Sequence, residues 1–300
     1  MINMNRNNGV RLADKDIEFL WCEWKVRVQK RRIIRELSKQ GGDETDEIVD
    51  YLKKHPITVF PYKFKEKYAI RNVKLQKDKA KNMYFYKRGV VNMYLKKTYK
   101  SEFRAKRYCS NLLMEQDMDS PHCYVSHSFY PEPESVIIDI GGAEGFFPIE
   151  YLDTVKKVYI FECSREWTEA LQATYEKYRD KVFIVNKFVS DCSDETNVSL
   201  DDFVKENHLE NEKIFIKIDA EGSEPAIIDG AKNFLNSDTS IKLAICTYHC
   251  AEHESVFRKR FDGWNIENAK GYMLYYYDFC FGAPYIRRGV LRIDNSNKVG

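Results

Sequence analysis

Five short, dominantly apolar runs in the second half of the chain constrain its fold more than any other feature. They are Val136–Ile140 (VIIDI), Val158–Glu162 (VYIFE), Val182–Asn186 (VFIVN), Ile214–Asp219 (IFIKID) and Ile241–Thr247 (IKLAICT). A strand with one wet face alternates apolar and polar residues. Runs that do not alternate are covered on both faces, as in a parallel sheet flanked by helices. Between two of them, Trp167, Ala170, Leu171, Thr174, Tyr175 and Tyr178 form one stripe at helical spacing over Ser164–Arg179. Strands alternating with helices predict a doubly wound α/β domain. Tyr272–Tyr277 and Tyr285–Ile293 read as two further strands joined by a loop, forming an antiparallel edge.

The first half has a different character. Ile17, Leu20, Trp21, Trp24 and Val28, then Ile33, Ile34 and Leu37, predict a helix over Asp14–Lys39 that stops at Gly41-Gly42. A second helix follows over Thr45–Lys54, closed by Pro56. The stripe suits packing onto the rest of the chain or onto a second copy, so a homodimer through the N-terminal helix is one arrangement it permits. Tyr84–Tyr86, Lys87-Arg88-Gly89 and Val90–Tyr94 predict a β-hairpin, followed by a helix over Ser101–Met114. Three regions result: an N-terminal helical extension (1–60), a basic hairpin-and-helix segment placed to act as a lid (61–134), and the α/β domain (135–300).

Charge divides along the same line. Residues 1–125 hold 28 lysines and arginines against 16 acids, and residues 126–300 hold 20 against 30. Residues 62–107 are the extreme, with 16 basic side chains against three acidic ones. Such a segment can meet an anionic partner, or it can lie against the acidic half of its own chain. No run approaches the roughly 18 apolar residues of a membrane span. The first residues lack the apolar core of a secretory signal. Eight cysteines without a CxxC pair suggest reduced thiols and a cytoplasmic protein.

The strongest local signal is Val136-Ile-Ile-Asp139-Ile-Gly141-Gly142-Ala143-Glu-Gly145-Phe-Phe-Pro148, a strand, a glycine loop and a helix start. Ligands of open α/β sheets bind beyond the carboxyl ends of the strands. The spacing departs from the G-x-G-x-x-G of dinucleotide sites. A carboxylate at Asp139 repels a pyrophosphate but suits an ammonium. Glu162, at the end of the second run, can accept both hydroxyls of a ribose. S-adenosylmethionine, cationic and free of phosphate, fits this pair of acids.

A second motif, Phe215-Ile-Lys217-Ile-Asp219-Ala-Glu221-Gly222-Ser-Glu224, follows the fourth run. Together with the glycine loop it resembles the FkbM family of S-adenosylmethionine-dependent methyltransferases, most closely over residues 135–250. Leu200-Asp201-Asp202, Tyr248-His249 and the segment from Glu115 through Ser120-Pro121-His122-x-Tyr124 are similar too; Ala143 departs, since many members have Asn there. The resemblance implies a Rossmann-like class I methyltransferase with a mostly parallel seven-stranded sheet and helices on both faces, to which the residue pattern adds an N-terminal helical and hairpin extension that matches no family. It also implies O-methylation of a hydroxyl on a sugar, glycan or glycolipid-type acceptor; the expected partner is a small molecule or glycan, with or without a phosphate.

The expected cofactor set is Glu115, Asp139, Gly141, Gly142, Gly145, Glu162 and Asp191. Lys217, Asp219 and His249 are the expected catalytic residues, with His122, Glu221 and Tyr248 on the acceptor. A lysine and an acid on one face of a buried strand need partners or a task. Histidine is suited to proton transfer near neutral pH, and His122 competes with His249 for that role. Asp219, Glu221, Glu224 and His249 could also hold a divalent ion, but their spacing is unspecific and Lys217 would be an unwelcome neighbour, so no metal is expected. A nucleic-acid methyltransferase, or a nucleic-acid-binding or scaffold protein on an inactive methyltransferase fold, is the alternative. Nucleic acid is disfavoured, because Asp219-Ala-Glu221-Gly222 differs from the Asn/Asp-Pro-Pro-aromatic loop common in methylation of exocyclic amines.

Overall fold

The described part of the computed structural model comprises residues 26–275 and 284–297. The chain divides into two units, one of Met1–Lys63 with Tyr272–Ile286, the other of Phe64–Gly271 with Arg287–Gly300. In the first, helix α1 occupies 26–40 and α2 spans Asp43–Lys54. Ile33 and Leu37 of α1, and Ile48 and Leu52 of α2, are buried, as their helical spacing predicts. Ile17, Leu20, Trp21 and Trp24 lie outside the described residues.

In the second unit, β1 (Leu75–Asp78), β2 (Met83–Arg88) and β3 (Val91–Tyr94) form a three-stranded antiparallel sheet, one strand more than the expected hairpin. Helix α3 follows over Glu102–Glu115, with the Ser101 hydroxyl accepting from Arg104 N–H. Then come β4 (Val136–Ile140), β5 (Lys157–Phe161), α4 (Arg165–Thr174), β6 (Val182–Val185), and a short parallel pair, β7 (Phe188–Val189) with β8 (Asn197–Val198). Helix α5 (Leu200–Glu206), β9 (Ile214–Ile218), α6 (Glu224–Asp229), α7 (Lys232–Leu235), β10 (Ile241–Cys246) and α8 (His253–Arg260) continue the alternation. The chain closes through β11 (Asn265–Asn268), β12 (Met273–Leu274), β13 (Ile286–Arg287) and β14 (Val290–Asp294).

The main sheet has seven strands in the order β11-β14-β10-β9-β4-β5-β6. The five predicted runs pair in parallel, while β14 runs antiparallel to both β10 and β11. The antiparallel strand is therefore not at the edge, as expected, but inserted beside β10. The edge is β11, whose half-exposed Asn-Ile-Glu-Asn gives no apolar run to detect. Alternate residues of the central strands face two cores. Ile137, Val158, Ile160 and Phe215 join Trp167 and Leu171 of α4 and Met83 and Met93 of the small sheet. Ile138, Tyr159, Ile216 and Leu243 join Phe203, Ile227 and Phe257 on the other face. Both faces are covered, which is why these strands do not alternate.

Two further local differences bear on the site. The glycine loop leads into a 3-10 turn, Phe147–Tyr151, rather than an α-helix. Ser223 does not cap α6; the Glu224 carboxylate reaches back instead and accepts from Ala220 N–H at 2.9 Å.

The basic segment is engaged within its own unit. Lys96 pairs with Glu166 at 2.7 Å and Lys81 with Glu176 at 3.2 Å, while Arg88 contacts Glu150 and Lys97 contacts Glu169. Tyr94 N–H donates to the Thr174 hydroxyl at 2.9 Å. The small sheet thus sits against α4, and part of the charge asymmetry is neutralised internally. Among the described residues no helix is long and apolar enough to cross a membrane.

Candidate active site

Asp139 and Lys217 occupy paired positions on adjacent strands β4 and β9. Both are buried, and Lys217 Nζ lies 3.0 Å from Asp139 Oδ1. The ammonium also donates to the carbonyls of Ile140, at 3.2 Å, and Gly141, at 2.6 Å. Burial pushes the Asp139 carboxyl up, against the pull of Lys217; burial also opposes the charge on Lys217, but Asp139 and Asp219 outweigh it and raise its pKa. Lys217 therefore holds the root of the glycine loop.

The loop itself is tightly fitted. Gly141 has φ 74°, and a Cβ there would run into the carbonyl oxygen of Asp219. Gly145 has φ 72°, and a Cβ would meet the Tyr175 ring, whose hydroxyl donates to the Gly145 carbonyl. Ala143, with no such freedom, is nonetheless at φ 44°. Asn is tolerated in that region better than most residues.

Two cavities flank the loop. The first, about 230 Å³, is lined by Glu115, His122, Tyr124, Asp139, Gly141, Gly142, Glu144, Lys217, Asp219, Glu221 and Tyr248, among others. The second, about 410 Å³, is lined by Phe161, Glu162, Cys163, Phe188, Val189, Ser190, Ala226 and Ile227, among others. Gly141, Asp219 and Glu221 are common to both. Together they have the size of a typical small-ligand cleft at the carboxyl ends of the strands. Glu162 accepts from Ala143 N–H at 2.9 Å and from Ser164 N–H at 2.6 Å, so its carboxylate is oriented while retaining free lone pairs.

Asp219 is the hub. Tyr124 O–H donates to its Oδ2 at 2.8 Å, and Tyr248 O–H to its Oδ1 at 3.2 Å. His122 Nε2 lies 3.5 Å from Oδ2, and His249 Nε2 lies 3.5 Å from Oδ1. Burial works against the carboxylate, but His122, Lys217 and His249 overcome it and hold its pKa well below the usual range. Burial likewise opposes charge on His122, yet Asp219 and Glu115 prevail and raise its pKa.

Of the expected cofactor set, Glu115, Asp139, Gly141 and Gly142 line the first cavity and Glu162 the second. Gly145 and Asp191 are among the lining residues of neither; Asp191 is exposed, and its carboxylate accepts from the Ser190 hydroxyl. Lys217 and Asp219 line the first cavity with His122, Glu221 and Tyr248, whereas His249 lies behind Asp219 and lines neither. Tyr124 and Glu144 also line the first cavity, and neither was among the expected site residues. Tyr124 stands two residues beyond His122, and Glu144 sits inside the glycine loop, where acids read as surface. Glu144 is buried, contacts the Tyr108 hydroxyl, and is pushed up to about 7 by burial.

A mostly parallel sheet with an acid-flanked glycine loop and a carboxylate hub is the arrangement expected of a methyltransferase, and one family comparison points the same way. Residues 159–263 match the family described as the Methyltransferase FkbM domain. That segment carries the KIDAEGSE motif and Tyr248-His249, while the glycine loop precedes it. The match spans about a third of the chain, and the family it names is one for which S-adenosylmethionine is the fitting cofactor. No curated protein matches. Among solved structures, an uncharacterised protein from Listeria monocytogenes shares 13% identity over 55% of this chain and 62% of its own, with a TM-score of 0.34. The precorrin-6y C5,15-methyltransferase of Geobacter metallireducens shares 17% identity over 54% of this chain and 81% of its own, also with a TM-score of 0.34. M. capricolum TrmK, solved with S-adenosylhomocysteine, shares 17% identity over 56% and 64%, at 0.34. Likenesses this distant carry no argument about the acceptor.

Proposed function

We propose that the protein transfers a methyl group from S-adenosylmethionine to a hydroxyl of a neutral, sugar- or glycan-type acceptor. The observation that carries this is the position of Asp219, on the wall shared by both cavities and ringed by His122, Tyr124 and Tyr248. The cofactor, when bound, supplies an electrophilic methyl group. Glu162 would hold its ribose, the apolar walls at Phe161, Val189 and Ile227 its base, and Glu115 and Glu144 its ammonium.

Acid–base work falls to Asp219 with His122. The acceptor hydroxyl loses its proton to His122 as its oxygen attacks, and Asp219 stabilises the imidazolium that forms. His122 is preferred to His249 because it lines the cavity. Positioning supplies most of the remaining rate, as expected for displacement between two bound partners. Carboxyl groups of Glu115, Asp139, Glu144, Asp219 and Glu221 outnumber the Lys217 and His122 cations around the first cavity, which speaks against a phosphate on the acceptor. The internal pairing of Lys81, Arg88, Lys96 and Lys97 speaks against the nucleic-acid alternative.

The test is methyl transfer from labelled cofactor to a panel of sugars, glycans, glycolipids and RNA. Transfer to a hydroxyl acceptor that is lost in Asp219→Asn supports the reading. Transfer to RNA alone would replace it.

A further inference from the structure

The geometry points to a divalent-cation site at the acceptor rim, with His249 Nε2 and Asp219 Oδ1 as ligands, Glu221 as a third, and Glu224 as the group that aims the imidazole. The inference rests on the proposed methyltransferase reading only for the site's purpose, which is to orient the acceptor hydroxyl.

Three carboxylates converge on one imidazole. Glu224 Oε1 lies 2.7 Å from His249 Nδ1, Asp219 Oδ1 lies 3.5 Å from Nε2, and Glu221 Oε2 lies 3.7 Å from Nε2. Even a fully protonated His249 leaves this group with a net charge of about −2 when the carboxylates are ionised. The His249 side chain is 6% exposed, and both its ring nitrogens are buried with no hydrogen-bond partner. A buried polar atom left this way needs a partner. Glu224, fully buried, lies against Nδ1, as carboxylates do behind metal-bound histidines, and a small turn of the ring would let it accept the Nδ1 proton and leave Nε2 a lone pair. Asp219, Glu224 and His249 each place one ligand atom within 4.8 Å of the others.

The objection from sequence was Lys217. Its ammonium is turned to Asp139 and the loop carbonyls, so Lys217 does not occupy the place of the ion. Glu221, almost wholly exposed, can swing the short distance to complete a facial set of one imidazole and two carboxylates. Such a mixed oxygen and nitrogen set suits magnesium or manganese, and its open positions would face the cavities that Asp219 and Glu221 line.

The test uses the full chain saturated with S-adenosylhomocysteine, titrated with Mn²⁺ and followed by the loss of the free-ion electron paramagnetic resonance signal. One saturable site with Kd below about 1 mM is expected. Loss of that site in His249→Ala, and a 10- to 100-fold weakening in Glu224→Gln, would identify the ligand and its support. Calorimetry with S-adenosylhomocysteine checks that each variant is folded. Wild-type protein that binds S-adenosylhomocysteine but not Mn²⁺ would overturn the site while leaving the methyltransferase reading intact. Mn²⁺ affinity unchanged in a folded His249→Ala would overturn it as well. Failure to bind S-adenosylhomocysteine would count against the methyltransferase reading instead.

Discussion

His122 and Asp219 meet at 3.5 Å between Nε2 and Oδ2, in a cavity wall, although 97 positions separate them in the chain. The pair sets the expected pH dependence. His122 must be neutral to accept a proton, and its pKa is raised. Turnover should therefore rise with pH through a value above the ordinary 6.5 of histidine. In Asp219→Asn the support for the imidazolium is gone, so the residual activity should show that limb displaced to lower pH. The pH profiles of kcat for the two proteins check this; an unmoved limb would detach His122 from Asp219.

Lys217 should prove to be a stability residue. Lys217→Met leaves Asp139 buried without its counter-charge, which costs about 3–5 kcal/mol in comparable buried pairs. Adding Asp139→Leu should recover much of that loss. Denaturant unfolding of the two single variants and the double variant measures the coupling. A Lys217→Met protein of normal stability but no turnover would restore the catalytic role expected from sequence.

Glu144 should make cofactor binding release protons. Its carboxyl titrates near 7 instead of 4.5, so the free protein is penalised as pH rises through that window. An ammonium bound nearby favours the carboxylate and lowers its pKa. Affinity for S-adenosylhomocysteine should thus increase between pH 6 and 8, with fractional proton release at pH 7. Calorimetry in two buffers of different ionisation enthalpy reads the proton count, which Glu144→Gln should reduce.

Ala143→Gly should stabilise the fold. A non-glycine residue in the left-handed region carries about 1–2 kcal/mol of strain, part of which is offset by the greater freedom of glycine in the unfolded chain. A net gain of up to about 1 kcal/mol is expected from thermal or denaturant unfolding. Ala143→Val should lose stability.

Lys96 and Lys97 should matter little for binding. Pairs such as theirs with Glu166 and Glu169 lie at the surface, where solvent screening leaves them little net energy. Acceptor KM should vary weakly between low and moderate salt. A fall in affinity by about 10³ over that range would instead reveal an RNA surface.

The sheet was legible because burial on both faces writes itself into consecutive residues. All five parallel strands fall within one or two residues of the predicted runs. Local chemistry was legible too: Asp139 and Glu162 end strands, and the glycines mark where the backbone must turn. Strand β11 was not legible, since Asn265–Asn268 carries neither an apolar run nor alternation. The insertion of β14 between β10 and β11 is a choice of neighbour, and no local pattern encodes it.

The same limit governs the site. The sequence by itself determined which acids, glycines and histidines reach the carboxyl ends of the strands, because strand period and loop position are local properties. Only the tertiary structure decided their partners. It turned Lys217 toward Asp139, brought Tyr124 and Tyr248 onto Asp219, and set His122 in the cavity and His249 behind it. Those contacts join residues tens of positions apart, and they depend on strand order and side-chain direction, which form only when both cores pack.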